Sequence, residues 1–404
     1  MPLGRDPFLG RPIIEPVTVP DTRAGDTRAP LLRRAAPALL GYAAVRALGL
    51  VVLAVWSAAR GKSAYPLLTA RWDALWYTRV AELGYGYEVR LPNGDVHSNL
   101  AFFPLLPWLE RLLHALSPLS YADAGFAVSL LASLAAAAGI FAVAERVYDA
   151  RVGFCAVLLW AVLPVGIVQS MAYSESLFTA LAAWSLYALL ADRWVSAGLL
   201  ASLAGLTRPV GAAVVAAVWV TGVLSFVRDR RERTEEGASV RRRVLGMLLA
   251  PLGAAGYVLW VGHRTGRGPL GYLDVQAGWR NGFDGGYAFA RFVSDKFTSF
   301  PSALAGVGLI VGVALLLWLY AVGVRQRQPV ALLVYTGVVL ALALCASSYF
   351  GSKPRLLLPA FPVLLPLARA LARPRTTKSA LVTVGLAVAS AIYGAFWLNG
   401  SGPP

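Results

Sequence analysis

The stretch Arg71-Trp72-Asp73-Ala74-Leu75-Trp76-Tyr77 follows closely on an apolar run at 35–59. A run of that length crosses about 30 Å of hydrocarbon as a helix. The stretch therefore lies at a bilayer surface and holds one carboxylate among aromatic rings there. Further apolar runs occur at 124–144, 152–170, 176–190, 194–207, 209–227, 244–262, 301–323, 329–347, 355–372 and 379–398. With 57% hydrophobic and only 14% charged residues in 404, the chain has more apolar surface than a soluble interior hides. The expected fold class is an all-α polytopic membrane protein of eleven transmembrane helices at 35–398. The runs at 176–190 and 194–207 are short, as befits spans that are tilted, partly re-entrant or shielded by neighbours.

Residues 1–34 are rich in Arg and Pro and repeat Asp-Thr-Arg-Ala at 21–24 and 26–29, a composition that cannot bury a core. A disordered cytoplasmic tail is expected, too long and Pro-rich for the start of a cleaved signal. The net charge of +16 would suggest nucleic acid in a soluble protein. In a membrane protein, loop charge first reports topology. With the N-terminus inside, more than half of the 37 Lys and Arg fall on the cytoplasmic side, most densely over 228–243, and no nucleic-acid partner is implied. Two large loops, 60–123 and 263–300, then lie outside, with a short extracytoplasmic tail at 399–404. The expected location is the plasma membrane, multi-pass, with the chemistry on the outer face. Cys155 and Cys345 fall inside expected spans and suggest no disulfide framework. Within the first outer loop, Leu105, Leu106, Leu109, Leu112, Leu113 and Leu116 form one helical face and Glu110, Arg111 and His114 lie near the other. That pattern predicts an amphipathic helix in the membrane interface.

The Trp72-Asp73 pair, Gly84-Tyr85 and the stretch Asn99-Leu100-Ala101-Phe102-Phe103-Pro104 resemble the first luminal loop of the PIG-V family, the second mannosyltransferase of glycosylphosphatidylinositol assembly. Tyr173-Ser174-Glu175-Ser176-Leu177-Phe178, Leu206-Thr207-Arg208-Pro209 and Lys353-Pro354-Arg355 follow in the family's order. The resemblance implies a GT-C-type glycosyltransferase, taking mannose from a polyprenyl-phosphate-mannose donor on the non-cytoplasmic face. The Arg- and Ala-rich composition resembles that of a high-GC bacterium, where a complete anchor pathway is not expected. A glycolipid, a cell-wall polymer or a protein then stays open as acceptor.

Inverting displacement of a polyprenyl phosphate needs a base for the acceptor hydroxyl and cations for the departing phosphate. Asp73 is the candidate base, since Trp72 and Trp76 beside it would desolvate the carboxylate and raise its basicity. The competing reading is that Asp73 caps or ion-pairs a juxtamembrane helix, with Arg71 as one possible partner. Arg208, Lys353 and Arg355 fall at outer span ends and are the candidate phosphate ligands, although such side chains also snorkel to lipid headgroups without specific duty. Arg71, Trp72, Glu175 and Asn99 are candidate substrate-binding residues. For Ser174 and Glu175, helix capping is the alternative. Arg46, in mid-span, needs a partner and reads as structural.

The chain has no Asp-x-Asp motif, and His97, His114 and His263 lack metal-ligand spacing, so neither metal nor cofactor is expected. Two other readings stand beside this one: a GT-C enzyme with a different lipid-linked sugar, and a transporter or flippase of such sugars. The second would be expected to carry internal repeats and interrupted helices near mid-membrane, and no two-half repeat is legible.

Overall fold

The structure, a computed structural model, describes residues 29–232, 237–373 and 376–400. Most of the expected tail at 1–34 and residues 401–404 of the expected C-terminal tail lie outside the described residues. The first helix begins at Leu31. Among the described residues, six helices are long and apolar enough to cross a membrane: Leu31–Ala59, Tyr121–Val147, Pro209–Arg231, Ser239–Thr265, Ser302–Arg325 and Thr377–Leu398. Phe350–Leu356 and Phe361–Ala372 pass the same test as a pair bent by 75°, which brings the number to seven. The protein is a mostly helical, multi-pass membrane protein.

The expectation of eleven full spans is met in part. Helices do occupy the other predicted segments, but Ala150–Ala161 and Trp194–Gly205 have only 12 residues each. At 1.5 Å per residue, 12 residues rise only about 18 Å. The predicted span 152–170 is in fact broken: helix ends at Ala161 and a 3₁₀ turn runs over Gly166–Ser170. Pro164 lies in the break, and proline disfavours helical backbone in the residue before it. Ala150–Ala161 is largely surrounded by neighbours, whereas Trp194–Gly205 is buried on one face and exposes Leu199 and Leu203 on the other. Ser174–Leu190 packs between Tyr121–Val147 and Trp194–Gly205 and is buried along most of its length.

The helices meet through small residues. A Cβ on Gly198 would stand 2.3 Å from the carbonyl oxygen of Gly246, and one on Gly253 would stand 1.9 Å from that of Ser202. Lipid tails are as apolar as leucine, so helices in a bilayer gain from close backbone packing rather than from apolar burial.

Arg46 is 6% exposed and has no carboxylate beside it among the described residues. Its guanidinium donates to the carbonyls of Ala161 and Gly166, the acceptors left over where the helix breaks. A span interrupted inside the membrane must satisfy its freed carbonyls internally, and Arg46 does so.

Outside the helical body, a hairpin pairs Glu88–Arg90 with Val96–Ser98, and a two-residue ladder joins Gly282–Phe283 to Ala346–Ser347. A helix spans Leu105–Leu116, in the segment where an interfacial one was expected. Its orientation is informative: Leu112 and Leu116 are 54% and 76% exposed, while Glu110 is wholly buried. Neither Glu110 oxygen has a hydrogen-bond partner among the described residues, and Gly125 provides the space it occupies. Burial holds this carboxyl well above the usual carboxylate range.

Candidate functional site

Four segments far apart in sequence deliver one ionic cluster. Asp73 opens the helix Asp73–Leu83, and Glu175 lies in the first turn of Ser174–Leu190. Both acids sit where the helix dipole favours negative charge. Arg208 precedes Pro209 in the gap after the helix ending at Gly205, its backbone held extended. Arg355 belongs to the short helix Lys353–Leu356, ahead of the bend in that pair.

Asp73 Oδ2 stands 2.8 Å from Arg355 Nη1. Arg355 Nε is 3.3 Å from Glu175 Oε1, and the same oxygen pairs with Arg208. Arg208 Nη1 also donates to Ser174 Oγ at 3.3 Å, and that hydroxyl shares a 2.7 Å hydrogen bond with Tyr77 OH. The Arg355 guanidinium lies 5.0 Å from the centre of the Tyr173 ring. Two cations and two anions make the cluster neutral. Side-chain exposure rises from 2% at Glu175 through 9% at Arg355 and 12% at Arg208 to 25% at Asp73. The carboxylate of Asp73 is the open side of an otherwise buried group.

Two features hold this geometry. Trp72 has φ 51° and ψ −122°, a backbone region that costs a residue with a Cβ on the order of 1–3 kcal/mol. The kink starts the Asp73 helix abruptly, beside the cluster. Below the acids, Ser176 Oγ donates to the Gln169 carbonyl, Gln169 Nε2 to the Trp160 carbonyl and Trp160 Nε1 to the Leu358 carbonyl. This buried chain ties the Glu175 helix to the turn that follows Arg355.

The remaining candidates lie elsewhere. Lys353 Nζ donates to the carbonyls of Ala343 and Ala346, each at 2.8 Å, at the C-terminal end of Val330–Cys345, with the Phe289 and Phe350 rings beside it. Arg71 stacks on Trp72, 3.9 Å from the ring centre, and donates to the Leu398 carbonyl at 3.3 Å. The cation on Asp73 is Arg355. Asn99 is fully buried; its Oδ1 accepts from Gly86 N and its Nδ2 donates to the Gly84 carbonyl, each at 3.0 Å. Gly84 and Gly86 have φ of 78° and 124°, which explains why glycine flanks Tyr85. No group of three or more His, Cys, Asp or Glu among the described residues is arranged to hold a metal ion.

Sequence reading gave no site role to Tyr77, Gln169 and Trp160, and it named Ser174 only as a possible helix cap. Tyr77 alone left a signal, four residues beyond Asp73 and so on the same helical face. The others depend on contacts across the fold.

A family model described as mannosyltransferase (PIG-V) matches residues 58–249, a segment containing Asp73, Glu175 and Arg208. Among solved structures, ArnT from Cupriavidus metallidurans bound to undecaprenyl phosphate is similar with a TM-score of 0.51 at 17% identity, over 85% of this chain and 62% of that one. The apo state of the same protein gives 0.51 at 18% identity, over the same shares. The archaeal oligosaccharyltransferase AglB from Archaeoglobus fulgidus, in complex with an inhibitory peptide and a dolichol-phosphate, gives 0.44 at 12% identity, over 90% and 56%. The chain spans less than two thirds of the length of ArnT. No curated protein sequence matches it. Residues 58–249, which include the first loop, are thus similar to the PIG-V mannosyltransferase family, and the fold of the chain is similar to that of ArnT.

Proposed function

We propose that the chain is an inverting mannosyltransferase that takes mannose from polyprenyl-phosphate-mannose on the extracytoplasmic face of the plasma membrane. Its acceptor is a hydroxyl on a lipid, polymer or protein. The observation that carries this reading is the meeting of Asp73, Glu175, Arg208 and Arg355 in one cluster with Asp73 on its open side. The mannosyltransferase family match and the fold shared with ArnT support it.

In this reading the acceptor oxygen attacks the anomeric carbon from the face opposite the phosphate. The carbon–oxygen bond to phosphate breaks, its electron pair leaves on polyprenyl phosphate, and Asp73 takes the acceptor's proton. Arg208 and Arg355 bind the departing phosphate, where planar, charge-assisted donors are most effective. Glu175 touches both arginines and fixes their orientation. Asn99, Trp72 and Arg71 act from outside the cluster by shaping the loop and the kink that present Asp73. Lys353 braces the neighbouring helix end.

The test is incubation of the purified protein with polyprenyl-phosphate-mannose and a panel of lipid, glycan and peptide acceptors, followed by mass spectrometry. A hexose added to an acceptor is the expected product. Turnover only with a different lipid-linked sugar would replace the donor assignment, and no transfer from any such donor would overturn the reading.

A further inference from the structure

The cluster as it stands is closed to a phosphate, because its two arginines are already neutralised by two carboxylates. An anion brought against a buried, neutral group of charges must displace a resident anion or pay an uncompensated desolvation cost. Resting on the reading above, we infer that the donor's phosphate displaces Asp73 from Arg355, so that binding of the donor is what releases the base.

The two carboxylates differ in how easily they give way. Glu175 is 2% exposed and holds both Arg208 and Arg355 with one oxygen. Separating it would leave a buried charge without a partner, the costliest kind of break. Asp73 is 25% exposed and is paired to Arg355 through Oδ2 and Nη1. Partly exposed pairs are the weak ones. The incoming phosphate therefore takes the outer side of Arg355, while Glu175 keeps the two guanidiniums in place. Asp73 turns toward the open side, where an acceptor arrives.

Two consequences follow. While Asp73 Oδ2 is held on Arg355 Nη1, the carboxylate faces the arginine rather than an entering hydroxyl, so without donor the site does not deprotonate whatever hydroxyl enters it. Donor binding also precedes productive acceptor binding. Glu175 is then a positioning residue, and the site needs two carboxylates because one must leave and one must stay.

The probe is undecaprenyl phosphate in detergent micelles, with uncharged undecaprenol as the control for the tail. Asp73→Asn removes the competing anion and keeps the side chain's size. It is expected to bind undecaprenyl phosphate about tenfold more tightly than wild type, the order expected for losing one partly exposed competing charge, while undecaprenol binding stays the same. In the wild-type protein, carbodiimide coupling of an amine to Asp73, read by mass spectrometry, is expected to speed up severalfold when undecaprenyl phosphate is added. Equal or weaker phosphate binding by the variant overturns the inference, and so does Asp73 labelling that is unchanged by phosphate. Failure of wild type and variant alike to bind undecaprenyl phosphate overturns the functional reading itself, a result distinct from either of these.

Discussion

Arg46 and Arg355 are both arginines buried in helical membrane segments, 6% and 7% exposed, and they are neutralised in opposite ways. Arg46 is solvated by the carbonyls of Ala161 and Gly166 at a helix break. Arg355 is held by the carboxylates of Asp73 and Glu175. Carbonyls fixed in the backbone cannot leave, so the Arg46 site has one state and serves the fold. Carboxylates on side chains can exchange for another anion, and one of these stands at the open side. Burial of charge does not by itself mark function; the means by which the charge is neutralised does.

The largest expected effect falls on Arg355. Arg355→Lys keeps the charge that Asp73 and Glu175 require but loses the planar fork, so transfer should fall by roughly 10²-fold, the order seen when one transition-state donor is removed. The melting temperature should change little. A variant that keeps more than a tenth of wild-type turnover would place Arg355 with Arg46 among structural cations.

Arg46→Met should do the reverse. It strips two buried carbonyls of their donor, at about 1–3 kcal/mol each, so the melting temperature in detergent should drop by several degrees. Transfer per folded molecule should stay near wild type. Loss of turnover without loss of stability would dissolve the contrast.

Lys353→Met sharpens the same comparison on a third buried cation. Its ammonium also bonds to carbonyls, so moderate destabilisation and an unchanged donor KM are expected. A raised KM for donor would return Lys353 to the phosphate site.

The smallest effect concerns Glu110, a buried carboxyl with no cation paired to it among the described residues. Its pKa in the folded protein lies above the unfolded value, so the native state binds more protons and stability falls as pH rises above the ordinary carboxylate range. Glu110→Gln should therefore melt above wild type at pH 8, with the gap closing toward pH 4. A gap that is the same at both pH values would show that Glu110 is not neutral in the fold.

Much of the fold was legible because a bilayer imposes length and apolarity on every segment that crosses it. The ends of those segments were legible for the same reason, which is how Asp73, Glu175, Arg208 and Arg355 could be expected on one side before any contact was known. The inward turn of Glu110 was not legible, since helical periodicity separates polar from apolar faces but cannot say which face meets protein and which meets lipid. Nor was the division between Lys353 and Arg355. They are two residues apart, and only the carbonyl ends of Val330–Cys345 on one side and the acids on the other separate them.

By itself, the sequence determined a multi-pass helical protein with a PIG-V-like first loop and a set of charged residues at span ends. Hydropathy and local motif are properties of neighbouring residues, and neighbours suffice to read them. The tertiary structure decided which charges meet, which carboxylate is buried and which is open, and which arginine is spent on a broken helix. Those depend on helices whose contacts join residues more than a hundred positions apart, where Coulomb attraction and desolvation act through space and leave no trace in spacing.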